Sequence, residues 1–325
     1  LLAALALVGP GRGKNAATDS NTPPASPADG QAITETLQEL GDQLSQAVEN
    51  SRDLEPLLDR LNQLLAEHPD VAEAHTLHAQ MLLEAGRPED ALVAFQSSLK
   101  IQPRQASLHQ VSGDLAMNLK QYEDARHHYE QARSIEPGSG RYAISLANLQ
   151  LKLNEDDQAL ETLLTALRRD SGLHGAYALL ADIYAKKNKL QLALDQSQRA
   201  IETAPAESVN TIAVYTIKRA ALLRRNNQPA ESLAALNALS PPAHLQSKIL
   251  QDTATSWAML GKPQMAAELY ENVLRADPSS DLAAAQAAAW RIKADDPEAA
   301  KQHLQTLRRI NPRHEAILEL ESKLN

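Results

Sequence analysis

The chain contains no cysteine. That excludes disulfide bridges, thiolate-held metals and a lipid-bearing N-terminal cysteine, and it leaves the compartment open. Aromatic residues are scarce, 3% of 325 residues with a single phenylalanine, although 43% of the chain is hydrophobic. Positive charge is outweighed, giving a formal net charge of −9. A dense basic face is what phosphate backbones require, so nucleic acid is not expected as a main partner. The apolar opening Leu1–Val8, LLAALALV, is too short to cross a bilayer, which takes about 20 residues. A single globular core is not expected either, because such cores split beyond about 250–300 residues.

What the chain does have is a period. Pro69, Pro103 and Pro137 stand 34 residues apart, Ser171 falls on the next beat, and Pro205 follows. After one slip the beat returns with Pro278 and Pro312. Proline stops a helix and is tolerated at the first turn of the next, where its missing N–H costs nothing. Twelve residues before six of these beats stands an alanine: Ala91, Ala125, Ala159, Ala193, Ala266 and Ala300. Twelve residues earlier again stands a small residue: Ala79, Gly113, Ala147, Ala181, Ala254 and Ala288. Small residues in register mark a helix crossing repeated along the chain. Eight residues before each beat come Phe95, Tyr129, Leu163, Ser197, Tyr270 and Leu304, mostly large groups suited to fill the space between neighbouring hairpins. Gly86, Lys120, Asn154, Asn188, Gly261 and Asp295 fall between the helices, and most are turn-compatible residue types.

A 34-residue helix–turn–helix period with small, alanine, aromatic and proline landmarks resembles the tetratricopeptide repeat. The resemblance runs from about Ile33 to Pro312. It implies an all-α fold, an α-solenoid of about eight antiparallel helix hairpins wound as a right-handed superhelix, with a C-terminal capping helix. Such an array buries surface only between neighbours and so escapes the size limit on a single core. There are departures. Leu57 and Ser45 replace alanine and glycine in the first hairpin, and the aromatic near each first-helix start survives only as Tyr177. His75, His109 and Ala143 hold that place elsewhere.

The expected organisation follows from the register. Residues 1–14 read as the tail of a signal or membrane anchor, and the chain opens without a methionine. Pro10, Arg12 and Lys14 make an awkward cleavage junction, and basic residues there favour the cytoplasmic side. Residues 15–30, rich in proline, serine and alanine, read as a disordered linker. On this basis the expectation is an exported or membrane-tethered protein of the periplasm or cell envelope. The alternative is a cytoplasmic one. The repeat array occupies 31–312 and the capping helix 313–325. Five extra residues near 206–210 lengthen a loop or a helix start, and Pro241–Pro242 shorten the sixth hairpin, so a local break is expected there.

Chemistry-bearing patterns dissolve on inspection. Gly9–Lys14 resembles a phosphate loop, but Val8 stands for its first glycine, Asn15 for its Ser/Thr, and no helix is expected next. Ser97–Lys100 matches S-x-x-K without the companion motifs of serine acyl-enzymes. His75, His78 and His109 form the best imidazole set for zinc, yet histidine at the first and last of these places reads more simply as a small aromatic. Carboxylate pairs such as Glu89–Asp90 and Asp156–Asp157 sit beside turns, where they favour the positive end of the next helix. The reading is of no enzyme, with no catalytic residue, metal or cofactor.

The resemblance implies a concave groove lined by the first helix of each hairpin, with a protein or peptide as ligand. Carried over by register, one row holds Gln80, Asp114, Asn148 and Asp182. A second, one turn on, holds Glu84, Asn118, Lys152, Lys186 and Arg225, with Arg141, Lys218 and Arg224 close by. The first row suits a peptide backbone, and the basic second row suits an acidic segment through charge-assisted bonds. The chaperone-tail clamp of this family is not expected, since only Asn148 fits it and Ile144 stands where its first lysine belongs. Membrane contact is expected only through the N-terminal anchor. The functional expectation is a non-enzymatic interaction scaffold with a peptide-binding groove in a bacterial cell-envelope assembly. Two alternatives stand beside it: the substrate-recruiting arm of an enzyme whose catalytic part lies N-terminal, and self-association.

Overall fold

The computed structural model describes residues 27–50, 53–239 and 245–324. Regular structure among them is entirely helical. The expected signal or anchor (1–14), most of the linker, and Pro241–Pro242 lie outside the described residues. Eight hairpins follow one another. They are α1 (Pro27–Glu49) with α2 (Glu55–Glu67), α3 (Ala72–Glu84) with α4 (Pro88–Ile101), α5 (Ala106–Asn118) with α6 (Tyr122–Ile135), and α7 (Gly140–Lys152) with α8 (Asp156–Arg169). After these come α9 (His174–Lys186) with α10 (Leu190–Thr203), α11 (Val209–Arg225) with α12 (Pro229–Asn237), α13 (Gln246–Met259) with α14 (Pro263–Ala276), and α15 (Asp281–Lys293) with α16 (Pro297–Ile310). A last helix, α17 (Ala316–Leu324), packs on α15 and α16. Helix α1 takes in Pro27–Gly30, which the sequence reading assigned to the linker.

The landmarks have physical causes. Each beat proline stands two residues past the end of a second helix, as Pro103 does after α4 and Pro278 after α14. Proline there cannot continue the helix. The turn inside each of seven hairpins is closed by one left-handed residue: Gly86, Lys120, Asn154, Asn188, Asn227, Gly261 and Asp295 have φ between 55° and 73°. The amide after each donates back to a carbonyl five residues earlier, at 2.8–3.0 Å, as Arg87 does to Leu82 and Gln121 to Ala116. This is the Schellman arrangement, which satisfies carbonyls that the helix end would leave unpaired.

The small column is buried throughout: Ala79, Gly113, Ala147, Ala181, Ala254 and Ala288 all face a neighbouring helix. At Gly113 the approach is very close. A Cβ built there meets the Tyr129 ring at 2.6 Å. The second column, Ala91, Ala125, Ala159, Ala193, Ala266 and Ala300, is 0% exposed at every position. His75 and His109 use Nε2–H to donate to the carbonyls of Pro69 and Pro103, both at 2.9 Å. These histidines tie the first helix to the loop before it.

The chain divides into two compact units, Leu1–Asp170 and Ser171–Asn325. The division falls at the loop where Ser171 takes the place of a beat proline. The first unit holds hairpins one to four, with a hydrophobic cluster running from Leu40 to Leu149. An Arg126–Glu155 ion pair at 2.8 Å joins its third and fourth hairpins. The second unit holds hairpins five to eight and α17. There Arg224 reaches Asp252 at 2.7 Å across hairpins six and seven, and Glu271 accepts from Arg291 at 2.7 Å across seven and eight.

The insertion near 206–210 does not open a break. Helix α11 has 17 residues where α9 has 13, and α10 packs against it. The extra residues wind into helix because Val209–Ile212 contains no breaker and gains backbone bonds by doing so. In the same hairpin α12 is short, ending at Asn237 before the two prolines.

Candidate functional site

A cavity of about 400 Å³ opens in the second unit between α9, α10 and α11. Its walls follow helical spacing. On α9 the lining residues are Ala178, Ala181, Asp182, Ala185 and Lys186, one face by the i, i+3, i+4, i+7, i+8 rule. On α11 they are Tyr215, Lys218, Ala221, Leu222 and Arg225. Ser197 and Ala200 of α10 complete the lining. The alanines make it wide and apolar, while the charged groups stand exposed: Asp182, Lys186, Lys218 and Arg225 all face solvent.

Specific contacts hold Asp182, Lys218 and Arg225. Lys218 Nζ lies 2.8 Å from Asp182 Oδ2, a bridge from α11 to α9. Arg225 Nη2 donates to the Ala185 carbonyl at 3.0 Å, which spans the same two helices. Tyr215 hydroxyl and His174 Nδ1 are 2.9 Å apart, and burial raises the tyrosine's pKa above its ordinary value. Three cations and one carboxylate therefore line this cavity, in a chain whose net charge is negative. A second crevice of about 380 Å³ between α10, α11 and α12 mixes both signs of charge, with Asp195, Arg199, Glu202, Arg219 and Glu231 among its lining.

Of the groove residues expected from sequence, Asp182, Lys186, Lys218 and Arg225 come together at this cavity. Gln80, Asp114, Asn118, Asn148 and Lys152 lie on α3, α5 and α7 of the first unit. Gln80 and Asp114 are half-buried there, and Asn118, Asn148 and Lys152 are exposed. Asp114 Oδ1 accepts from the Tyr129 hydroxyl at 2.7 Å, and burial holds its carboxyl above the usual range despite that bond. Arg141 stacks over the Tyr142 ring, 4.7 Å from its centroid, and donates to that hydroxyl at 2.7 Å. Arg224 is a correction. Its guanidinium is buried against Asp252 and Ser232 instead of standing at the groove. Successive helix residues point about 100° apart, so Arg224 and Arg225 serve different neighbours.

Sequence reasoning missed the cavity itself. Its signal was present in one column, where Ser197 stands among Phe95, Tyr129, Leu163, Tyr270 and Leu304. The alanines at 178, 185 and 221 gave none, because alanine is common throughout these helices. Among the described residues no helix is long and apolar enough to cross a membrane.

Comparison with known proteins agrees with this architecture. Tetratricopeptide repeat profiles match residues 58–106, 116–183 and 174–207. Mouse tetratricopeptide repeat protein 21A is 30% identical over 163 residues, covering 46% of this chain and 12% of that protein. The human protein O-mannosyl-transferase TMTC1 is 24% identical over 179 residues, covering 52% of this chain and 19% of that one. The chain thus spans under a fifth of the length of either relative. Among solved structures, a tetratricopeptide repeat protein from Parabacteroides merdae superposes with a TM-score of 0.52 at 16% identity, over 78% of this chain and 98% of that one.

Proposed function

We propose, from the premise that this chain is a tetratricopeptide repeat protein, that it is a non-enzymatic scaffold binding an acidic peptide segment of a partner at hairpins five and six. One observation carries the reading. Lys186, Lys218 and Arg225 converge with Asp182 around an open, apolar-walled cavity. Clefts of about 300–1,000 Å³ with a few convergent polar groups are where proteins hold ligands. Guanidinium and ammonium groups at the mouth favour carboxylates and raise association rates with acidic segments. The groups lining this cavity are suited to bind and orient a peptide.

The test compares the unaltered chain with a Lys186→Glu, Lys218→Glu, Arg225→Glu form as baits in lysate of the source organism. An acidic protein retained by the unaltered chain alone supports the site. Equal retention by both forms moves binding elsewhere on the surface.

A second reading makes the chain the substrate-recruiting arm of an enzyme. The likeness to a protein named as an O-mannosyl-transferase favours it. Recovering the coding sequence upstream of residue 1 separates the two: a folded catalytic domain supports the arm, and a short signal or anchor supports the scaffold. Placement in a cell-envelope assembly belongs to the first reading and rests on Leu1–Val8 and the linker. Fractionation of cells carrying a C-terminally tagged copy tests it, and recovery in the cytoplasm alone would overturn it.

A further inference from the structure

We propose that the cavity of hairpins five and six is a socket for one large apolar side chain of the partner, of phenylalanine, tryptophan, leucine or methionine size, flanked in sequence by acidic residues. This rests on the reading of the cavity as a peptide site. It adds what goes into the cavity.

The argument starts from the column that faces the small residues. In hairpins two, three, four, seven and eight that place is filled from within by Phe95, Tyr129, Leu163, Tyr270 and Leu304, each at most 6% exposed. Hairpin six fills it with Leu236, four residues after Ser232 as Ser197 is four after Ala193, and Leu236 is 2% exposed. Hairpin five has Ser197. The volume that a large side chain takes up in the other hairpins is left open here, bounded by Ala178, Ala181 and Ala185 on one side and Ala221 on the other.

The polarity of the space is equally defined. Ser197 Oγ donates to the Leu194 carbonyl at 2.8 Å, so its one proton is spent within its own helix. Alanine methyl groups and Leu222 make up most of the remaining wall. A polar group pushed into this space would leave its water partners and find few replacements, which costs more than it returns. An apolar group loses nothing there. Where the cavity meets solvent the balance reverses, with Lys186, Lys218 and Arg225 exposed beside a single carboxylate, Asp182, with which Lys218 pairs. The ligand that satisfies both zones is a segment with an apolar anchor and carboxylates beside it.

The experiment selects short random peptides displayed on phage against the full chain. Recovered peptides are then synthesised with a fluorophore and titrated by anisotropy. The variants Ser197→Leu and Ala178→Ile each fill the socket. Both copy hairpin four, which carries Leu163 opposite Ala147, and Ile144 at the place of Ala178, so both should fold. Circular dichroism checks that they do.

The expected result is a shared large apolar residue close to Asp or Glu in the recovered peptides. Each filling variant should then lose roughly 10- to 100-fold in affinity, as should the peptide with its anchor changed to alanine. Peptides that weaken on reversing Lys186, Lys218 and Arg225 but bind both filled variants normally would overturn the socket and leave the acidic-peptide reading standing. No recovered peptide, or peptides indifferent to every variant, would overturn both.

Discussion

Gly113→Ala tests whether the column of small residues is steric in origin. Gly113 lies in α5, and a Cβ there meets Tyr129 Cε1 at 2.6 Å and Cδ1 at 2.8 Å. The ring cannot easily yield, because Tyr129 is 1% exposed and its hydroxyl donates to Asp114 at 2.7 Å. Overpacking of this kind costs about 1–3 kcal/mol. A ring that swings away loses a bond to a carboxylate, about 1.5–3 kcal/mol more. Against this stands the helix-propensity gain of alanine over glycine, about 1 kcal/mol. The net expectation is a loss of about 2 kcal/mol. Gly41 supplies the control: it too lies within a helix, α1, and a Cβ there meets nothing within 4 Å. Gly41→Ala should therefore stabilise by up to about 1 kcal/mol. Urea unfolding followed by circular dichroism reads both. Adding Tyr129→Leu to Gly113→Ala should recover the overpacking part of the loss but not the bond to Asp114, since hairpin four already seats Leu163 over Ala147. The reasoning is refuted if Gly113→Ala stabilises as Gly41→Ala does, or if the leucine recovers nothing.

Other consequences are open to measurement. His128 is 5% exposed, with its Nδ1 3.1 Å from that of His109. Burial first, then the charges on His109 and His127, push its pKa from 6.5 down to about 4. The unfolded chain takes up that proton before the folded one, so stability present above pH 6.5 falls away toward pH 4, by about 3 kcal/mol in all. Urea midpoints across that window should flatten in His128→Gln; an unchanged slope would assign the acid sensitivity elsewhere. Lys120 sits at φ 62° without glycine's freedom, so Lys120→Gly should raise stability by about 1 kcal/mol in the same assay, and a loss would contradict the strain. Arg224→Ala should cost about 3 kcal/mol by leaving Asp252 buried beside Lys248 alone, whereas Lys218→Ala, an exposed pair, should cost under about 1 kcal/mol. Equal losses from the two would mean that burial does not set the difference.

What was legible in the sequence is what a single residue must satisfy by itself. A left-handed turn selects glycine or asparagine, and Gly86, Asn154, Asn188 and Gly261 announce their turns accordingly. Lys120 and Asp295 do not, and only the period located them. Helix crossings select small side chains, so Ala79 to Ala288 could be read in order. The five-residue insertion could be counted but not shaped, because a helix start and a loop accept the same residues there. Long-range polar pairing left no trace at all: nothing in the sequence couples Arg224 to Asp252, 28 residues on.

The site falls between these cases. Its charges could be listed because family geometry set Asp182, Lys186 and Arg225 in two rows of one groove with Lys218 close by, but its cavity could not. A cavity is the absence of a side chain, and an absence can be read only against a column that is otherwise full. Hairpins three and five mark the two ends of that column. At Gly113 and Tyr129 the ring takes the whole space, down to the room for one methyl group. At Ala181 and Ser197 the chain supplies nothing of its own. A repeat under selection for stability alone has every reason to place a leucine there, as hairpins four, six and eight do. Serine at that one position gives up apolar burial that a Leu side chain would return at about 1.5–3 kcal/mol. A local rule broken at a cost, beside convergent charge, is where function is expected to sit.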